Sequence, residues 1–124
     1  MAQEITITAK LSCLNGGLNT VAQISSLRPT QATKGGISQT QTIPTTAGGT
    51  AITFTGLTAA RWVLLTNKDT TNFIDIGPVT GGAILAMIRL KAGESALFPL
   101  TPSTTIRGLA DTASVALEKT ALET

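Results

Sequence analysis

The residues best suited to chemistry are one thiol, Cys13, and seven carboxylates: Glu4, Asp69, Asp75, Glu94, Asp111, Glu118 and Glu123. Histidine is absent. That removes the usual general base, the Ser-His-Asp and Cys-His nucleophile pairs, and the commonest metal ligand. Asp69 and Asp75 flank one predicted hairpin, close enough in sequence to approach each other. Glycoside hydrolysis needs two such groups flanking a cleft, one with its pKa raised by burial. Both instead stand beside turn residues, where Asp commonly stabilises the backbone. Cys13 has no activating neighbour in sequence and reads as a small apolar residue. As the single cysteine it excludes an intramolecular disulfide and a zinc site built on a Cys pair.

Lys68-Asp69-Thr70-Thr71-Asn72 has some of the composition of a calcium loop. It lacks the oxygen ligands at alternate positions and the closing bidentate Glu, so it reads as a solvated hairpin tip. The Gly-Gly pairs are followed by neither Lys-Ser/Thr nor a helix, so they are not phosphate cradles. No catalytic residue, cofactor or metal is expected, and the chain reads as a non-enzyme.

The elements that would carry these residues are strands. Period-two alternation runs through most of the chain, broken by Gly and Pro. Over 4–12, Ile5, Ile7, Ala9 and Leu11 alternate with Thr6, Thr8, Lys10 and Ser12, which predicts a half-buried strand. Residues 13–34 hold Asn15-Gly16-Gly17 and Arg28-Pro29 and read as a turn plus a polar loop or arm, with one irregular strand around Val21–Ser26.

Further strands are expected over 36–43, ended by Pro44, then over 50–55, 60–67, 73–76, 83–90, 95–100, 104–110 and 113–122. Pro99 and Pro102 mark the end of the 95–100 strand, and helical spacing of Ala113, Ala116 and Leu117 gives the last segment a helical alternative. Eight or nine short strands with no strand–helix alternation predict an all-β fold, an antiparallel β-sandwich or barrel. A length of 124 residues suits one domain spanning 1–124.

Charged residues make up only 13%, against roughly 25% in ordinary soluble domains. Thr, Ala, Gly, Ser and Gln take their place, the composition of a surface largely covered by partners. The net charge of +2 comes from nine Lys and Arg spread evenly along the chain. Phosphate binding needs convergent cations, and with four aromatics (Phe54, Trp62, Phe73, Phe98) nucleic acid is disfavoured as a partner. Met1-Ala2-Gln3-Glu4 opens without a basic or apolar secretory region, and no apolar run reaches the ~20 residues of a membrane helix. Folding in a cytosol and no membrane partner are therefore expected.

Two strands carry apolar residues on both faces. Trp62 and Leu64 oppose Val63 and Leu65. Leu85 and Met87, before Arg89, oppose Ile84, Ala86, Ile88 and Leu90. An antiparallel sheet with one wet face shows polar residues there, so something covers the second face: a loop such as 13–34, or a neighbouring subunit. Trp62, Leu85, Met87 and Arg89 are the candidate subunit-interface residues, although an isolated Trp in an apolar strand is most often a core residue and less often an interface anchor.

The C-terminal half then resembles a group of small bacteriophage virion proteins. The residues that carry the likeness begin with Ile43-Pro44-Thr45-Thr46 and continue through 62–77, a strand ending in Asn67, an Asp/Asn-rich tip and the return strand led by Phe73. Leu90-Lys91-Ala92-Gly93-Glu94, Leu97-Phe98-Pro99-Leu100, Ala110-Asp111-Thr112-Ala113 and Val115-Ala116-Leu117 complete it. It spans residues 43–118; 13–42 match nothing comparable, and Arg107-Gly108-Leu109 departs from the aromatic-plus-basic pattern.

The resemblance implies a jelly-roll-like β-sandwich present in many copies on a virion. The implied role is a capsid decoration or cement protein, a homo-oligomer such as a trimer, bridging major capsid protein subunits. A tail, neck or baseplate component is the alternative within the same particle. A receptor- or glycan-binding sandwich is the alternative of another class, which the absence of Tyr and the single Trp argue against.

Overall fold

The computed structural model describes residues 4–32, 35–101 and 104–124. Expectations that fell on Met1, Ala2, Gln3, Lys34 and Pro102 lie outside them. The protein is all-β, with no helix among the described residues and with every paired strand antiparallel. Residues 4–32 form one compact unit and residues 35–123 another.

The first unit is a long hairpin, β1 (Ile7–Asn15) and β2 (Leu18–Leu27). It corrects the expectation of a loop for residues 13–15 and 18–27, while the turn at Asn15-Gly16-Gly17 stands and the irregular strand expected around Val21–Ser26 lies within β2. Alternation does not stop at Ser12; it continues through Cys13 and Asn15 and returns through Leu18, Thr20, Ala22 and Ile24. Gly16 takes the left-handed conformation, φ 57°, in the two-residue turn, where a side chain would cost energy. Register runs from Asn15↔Leu18 to Ala9↔Ile24, with a bulge between Ile7 and Ala9.

The second unit holds the remaining strands: β3 (Gly36–Ile43), β4 (Thr50–Ala51), β5 (Trp62–Asn67), β6 (Ile74–Gly77), β7 (Val79–Thr80), β8 (Ala83–Ile84), β9 (Ile88–Leu90), β10 (Ser95–Pro99), β11 (Arg107–Ala110) and β12 (Val115–Leu122). Together with the first hairpin these make twelve among the described residues, against the eight or nine expected; β4, β7 and β8 are two residues each. They build two four-stranded sheets, ordered β10-β5-β12-β3 and β4-β11-β6-β9, with β7 and β8 as a small separate hairpin. The chain changes sheet at almost every connection: β3, β5, β10 and β12 lie in one, β4, β6, β9 and β11 in the other.

This corrects the reading of 68–72 as a hairpin tip, because β5 and β6 lie in different sheets and the loop crosses between them. The strand expected over 83–90 is likewise broken. Residues 85–87 leave the ladder, with the Leu85 amide donating to the Pro78 carbonyl at 2.7 Å and Met87 to Ile76 at 3.0 Å. Gly77 makes room for this crossing, since a Cβ there would strike the Leu85 carbonyl. The last segment is strand over Val115–Leu122, not helix.

Alternation decides which side chains meet. Val63 and Leu65 of β5, Val115, Leu117 and Ala121 of β12, and Ile43 of β3 share one buried cluster with Ile74 and Ile76 of β6, Leu90 of β9 and Ala110 of β11. Burying each aliphatic side chain contributes about 1.5–3 kcal/mol. Gly108 of β11 is needed inside this cluster, where an added Cβ would lie 3.0 Å from Ile74 and 3.2 Å from Ile43.

Toward the far end of β3 and β12 the inward row turns polar. Gln39 and Gln41 of β3, Lys119 of β12 and Glu123 beyond it hold the main chain of residues 51–59. Gln41 donates to the Ala51 carbonyl at 2.8 Å and accepts from the Thr53 amide at 3.1 Å, while Gln39 donates to the Thr55 carbonyl at 3.0 Å. The Glu123 carboxylate accepts from the Thr58 and Ala59 amides.

Lys119 is 2% exposed and donates to Gln41 Oε1 at 2.7 Å, to the Thr53 carbonyl and to Thr53 Oγ1 at 3.3 Å. Desolvation lowers its pKa. Between the lowered value and the ordinary lysine value the folded chain binds fewer protons than the unfolded one, so stability rises with pH across that window. Denaturant titrations in the alkaline range should show this rise in the native protein and its loss in Lys119→Met.

Candidate functional site

Neither carboxylate of the flanking pair is available for acid–base work. Asp69 Oδ1 accepts from the Thr71 amide at 2.7 Å and the Asn72 amide at 2.6 Å. These amides, Asn72 first, hold the Asp69 carboxyl below its ordinary pKa. Asp75 takes a bidentate pair from Arg89, Nε–Oδ1 at 2.6 Å and Nη2–Oδ2 at 2.7 Å. The two aspartates have separate partners and separate structural tasks.

Among the described residues no group of three or more His, Cys, Asp or Glu is placed to hold a metal ion. A cleft of about 350 Å³ runs along residues 51–60 beside Leu100, Thr104 and Thr105, and none of its lining side chains is ionisable. It is a groove of threonines and aliphatic carbons around Phe54 and Leu57, with no convergent polar groups of the kind that orient a substrate.

What the fold does present is apolar surface, in three places. The outward row of β5 and its neighbours is the first. Trp62 sits between Pro99 of β10 and Leu122 of β12, and Leu64 between Leu97 and Thr120. Leu64 and Leu97 are 40% and 42% exposed, and Trp62 is half-buried with the Arg61 guanidinium 5.8 Å above its ring. Toward β3 the same face is covered by Ser38, Thr40 and Thr42, opposite Thr120, Glu118 and Ala116, so hydroxyls border the aliphatic patch.

The second place is the crossing between β8 and β9 with the β7 hairpin. Val79, Leu85 and Met87 are exposed there. Arg89 lies on the edge strand β9 with its guanidinium 3.8 Å over the Phe73 ring and its Nε and Nη2 donating to Asp75. That pairing raises the Arg89 pKa and fixes a planar cation at the rim.

The structure therefore divides the four candidate interface residues. Leu85, Met87 and Arg89 are neighbours in sequence at one sheet edge. Trp62 belongs to the outer face of the other sheet and is not a core residue.

The third place is the hairpin of β1 and β2, which the sequence reading missed. Leu11, Leu14, Leu18, Val21 and Ile24 are all at least half exposed. Cys13 is exposed among them, and Lys10 is the sole charged residue of the two strands. The usable signal is the same-parity run Leu18, Thr20, Ala22, Ile24, blurred by polar Thr20 within it and apolar Val21 between.

No protein-family model, curated protein or solved structure matches this chain.

Proposed function

We propose that this protein is a structural subunit of a bacteriophage particle, a capsid decoration or cement protein that bridges major capsid subunits. The observation that carries the reading is the exposure of large apolar side chains on three surfaces of one small chain, around Trp62 and Leu64, around Leu85 and Met87, and along the β1–β2 hairpin. Isolated exposed apolar residues are ordinary; clustered ones on a surface poor in charge are the mark of contacts with other subunits. Several such patches suit a subunit that touches several neighbours at once, so that modest contacts add through multivalency.

The strand orders support the finer fold reading that accompanies it. Eight strands in two sheets, β10-β5-β12-β3 and β4-β11-β6-β9, with the chain passing between sheets at nearly every step, fit a jelly-roll sandwich, an architecture frequent in viral capsids. The resemblance over residues 43–118 points the same way.

The test is to mix the purified protein with expanded, undecorated capsids and count bound copies by cryo-imaging. Density repeated over the whole shell is the expected outcome. Density at one vertex alone replaces decoration by a neck or tail role. No binding to particles, with hits on a glycan array, replaces both by receptor binding.

A further inference from the structure

We propose that the β1–β2 hairpin is a self-association element: its apolar face packs against the same face of a second copy, the two hairpins parallel with their tips together. This names the occupant of one surface on which the assembly reading rests, and the two ideas fail separately in the experiment below.

The argument starts from register. Cross-strand partners share a face, so one face of the ribbon carries, from tip to base, the pairs Asn15/Leu18, Cys13/Thr20, Leu11/Ala22 and Ala9/Ile24. The opposite face carries Leu14/Asn19, Ser12/Val21 and Lys10/Gln23. The first face holds no charge at all. A surface that meets its own copy across a two-fold axis brings identical groups near one another, so a charge-free face is what such a contact requires.

Size alternation on that face then selects the partner and its direction. Large and small residues alternate diagonally: Leu11 stands beside Ala22, Ile24 beside Ala9, Leu18 beside Asn15. A two-fold axis running along the hairpin, between two facing ribbons, sets each β1 position over the partner's paired β2 position. Leu11 then meets the second copy's residue 22, an alanine, and Ile24 meets residue 9, also an alanine. Leu18 meets an asparagine. Every large side chain faces a smaller one, in both directions at once.

The perpendicular in-plane axis, with tips apart, sets Leu18 against Ile24 and loses the match. A shallow hollow of about 360 Å³ already lies among Ala9, Leu11, Ala22 and Ile24, with Lys10 and Gln23 also lining it, and the second copy's Leu11 and Ile24 would seat there. A two-stranded ribbon on its own is marginal in water, and covering this face gives it a third and fourth strand to pack on.

The contact is small. Four residue levels of a ribbon two strands wide make a footprint of roughly 250 Å² per copy, below what a permanent dimer needs. Self-association through the hairpin alone is therefore concentration-dependent, and it strengthens when copies are held side by side on a larger assembly.

Cys13 reports on the contact. The two Cys13 residues stand at one level across the axis, in sheets about 10 Å apart, within reach of a short bis-maleimide, and no other cysteine competes. The experiment treats the full-length protein with that reagent over a concentration series and reads covalent species by denaturing mass measurement. Dimers that grow with concentration are expected.

Ala22→Leu sets Leu against Leu and should weaken dimerisation about ten-fold, as should Leu11→Ala, which opens a hole. The swap Leu11→Ala with Ala22→Leu restores a large-to-small match and should recover the dimer, a recovery that simple unfolding of the hairpin would not give. Ser12→Asp, on the other face, should leave it unchanged. Absence of concentration-dependent dimers, or a swap that fails to recover them, would overturn the proposal. Dimers without capsid binding would leave it standing and sink the decoration reading; capsid binding without dimers would do the reverse.

Discussion

Asn67→Ala should cost about 3–5 kcal/mol of folding stability, a large part of the ~10 kcal/mol expected of a chain this size. Asn67 ends β5 fully buried. Its amide Nδ2 donates to the Asn72 carbonyl at 2.9 Å and the Leu90 carbonyl at 3.0 Å, and Oδ1 accepts from the Asp69 amide at 2.9 Å. Its main chain accepts from Gly93 at 3.0 Å and donates to Glu94 at 2.9 Å.

One residue thus ties two of the crossings between the sheets, the 68–72 loop through its side chain and the 91–94 turn through its main chain. Alanine keeps the main-chain bonds and strands three main-chain partners, one of them in the interior. Chemical denaturation of the variant gives the loss directly. Asn67→Asp separates hydrogen bonding from shape. Its carboxylate would face two carbonyl oxygens, so burial and repulsion raise its folded pKa. A raised carboxyl pKa means that stability present in acid is lost as pH climbs above the unfolded value. Asn67→Asp should therefore be closer to the native protein in acid than at neutrality, and Asn67→Ala should show no such dependence.

The sheets were legible where one rule sufficed. Over 36–43 and 62–67 alternation alone fixes the strands and their faces, and the inward row Ile37, Gln39, Gln41, Ile43 already shows its polar middle. That those glutamines hold the main chain of 51–55 is not readable, because hydrogen bonds to a distant backbone leave no periodic trace.

The same limit hid the crossing at 68–72. A polar Asx-type loop looks alike whether its two strands pair with each other or part into different sheets. At 83–90 the apolar run predicts one strand, but the crossing over Gly77 breaks it at 85–87, a tertiary contact overriding local preference. The hairpin is hidden for the opposite reason: residues 13–27 mix polar and apolar side chains and bury neither, so they look like a loop. Of the candidate interface residues, Trp62 stands in a two-faced strand whose sequence leaves core and outer face both open, while the pairing of Arg89 with Asp75 and Phe73 needs the register of β6 and β9.

Two adjacent leucines of one strand should give opposite results in two assays. Leu65 and Leu64 of β5 share chemistry, strand and neighbours in sequence, and differ in face. Leu65 is fully buried in the common cluster, whereas Leu64 is 40% exposed beside Leu97. Leu65→Ala removes three carbons from a close-packed interior and leaves a cavity, so a loss of about 3–5 kcal/mol is expected, read as a lower denaturation midpoint. Leu64→Ala gives up only partial burial and should cost about 1 kcal/mol or less in the isolated protein.

On particles the order should invert. If the outer face around Trp62 is a contact, Leu64→Ala loses area that is buried only there, so capsid affinity falls while the protein stays folded. Leu65→Ala, assayed well below its melting temperature, should bind as the native chain does once the folded fraction is accounted for. Equal binding by Leu64→Ala and the native protein would remove this face from the proposed interface and leave the segment around Leu85 and Met87 as the remaining candidate contact outside the hairpin. The inversion follows from the pleat alone: successive side chains point to opposite faces, one toward the core and one toward whatever the sheet meets.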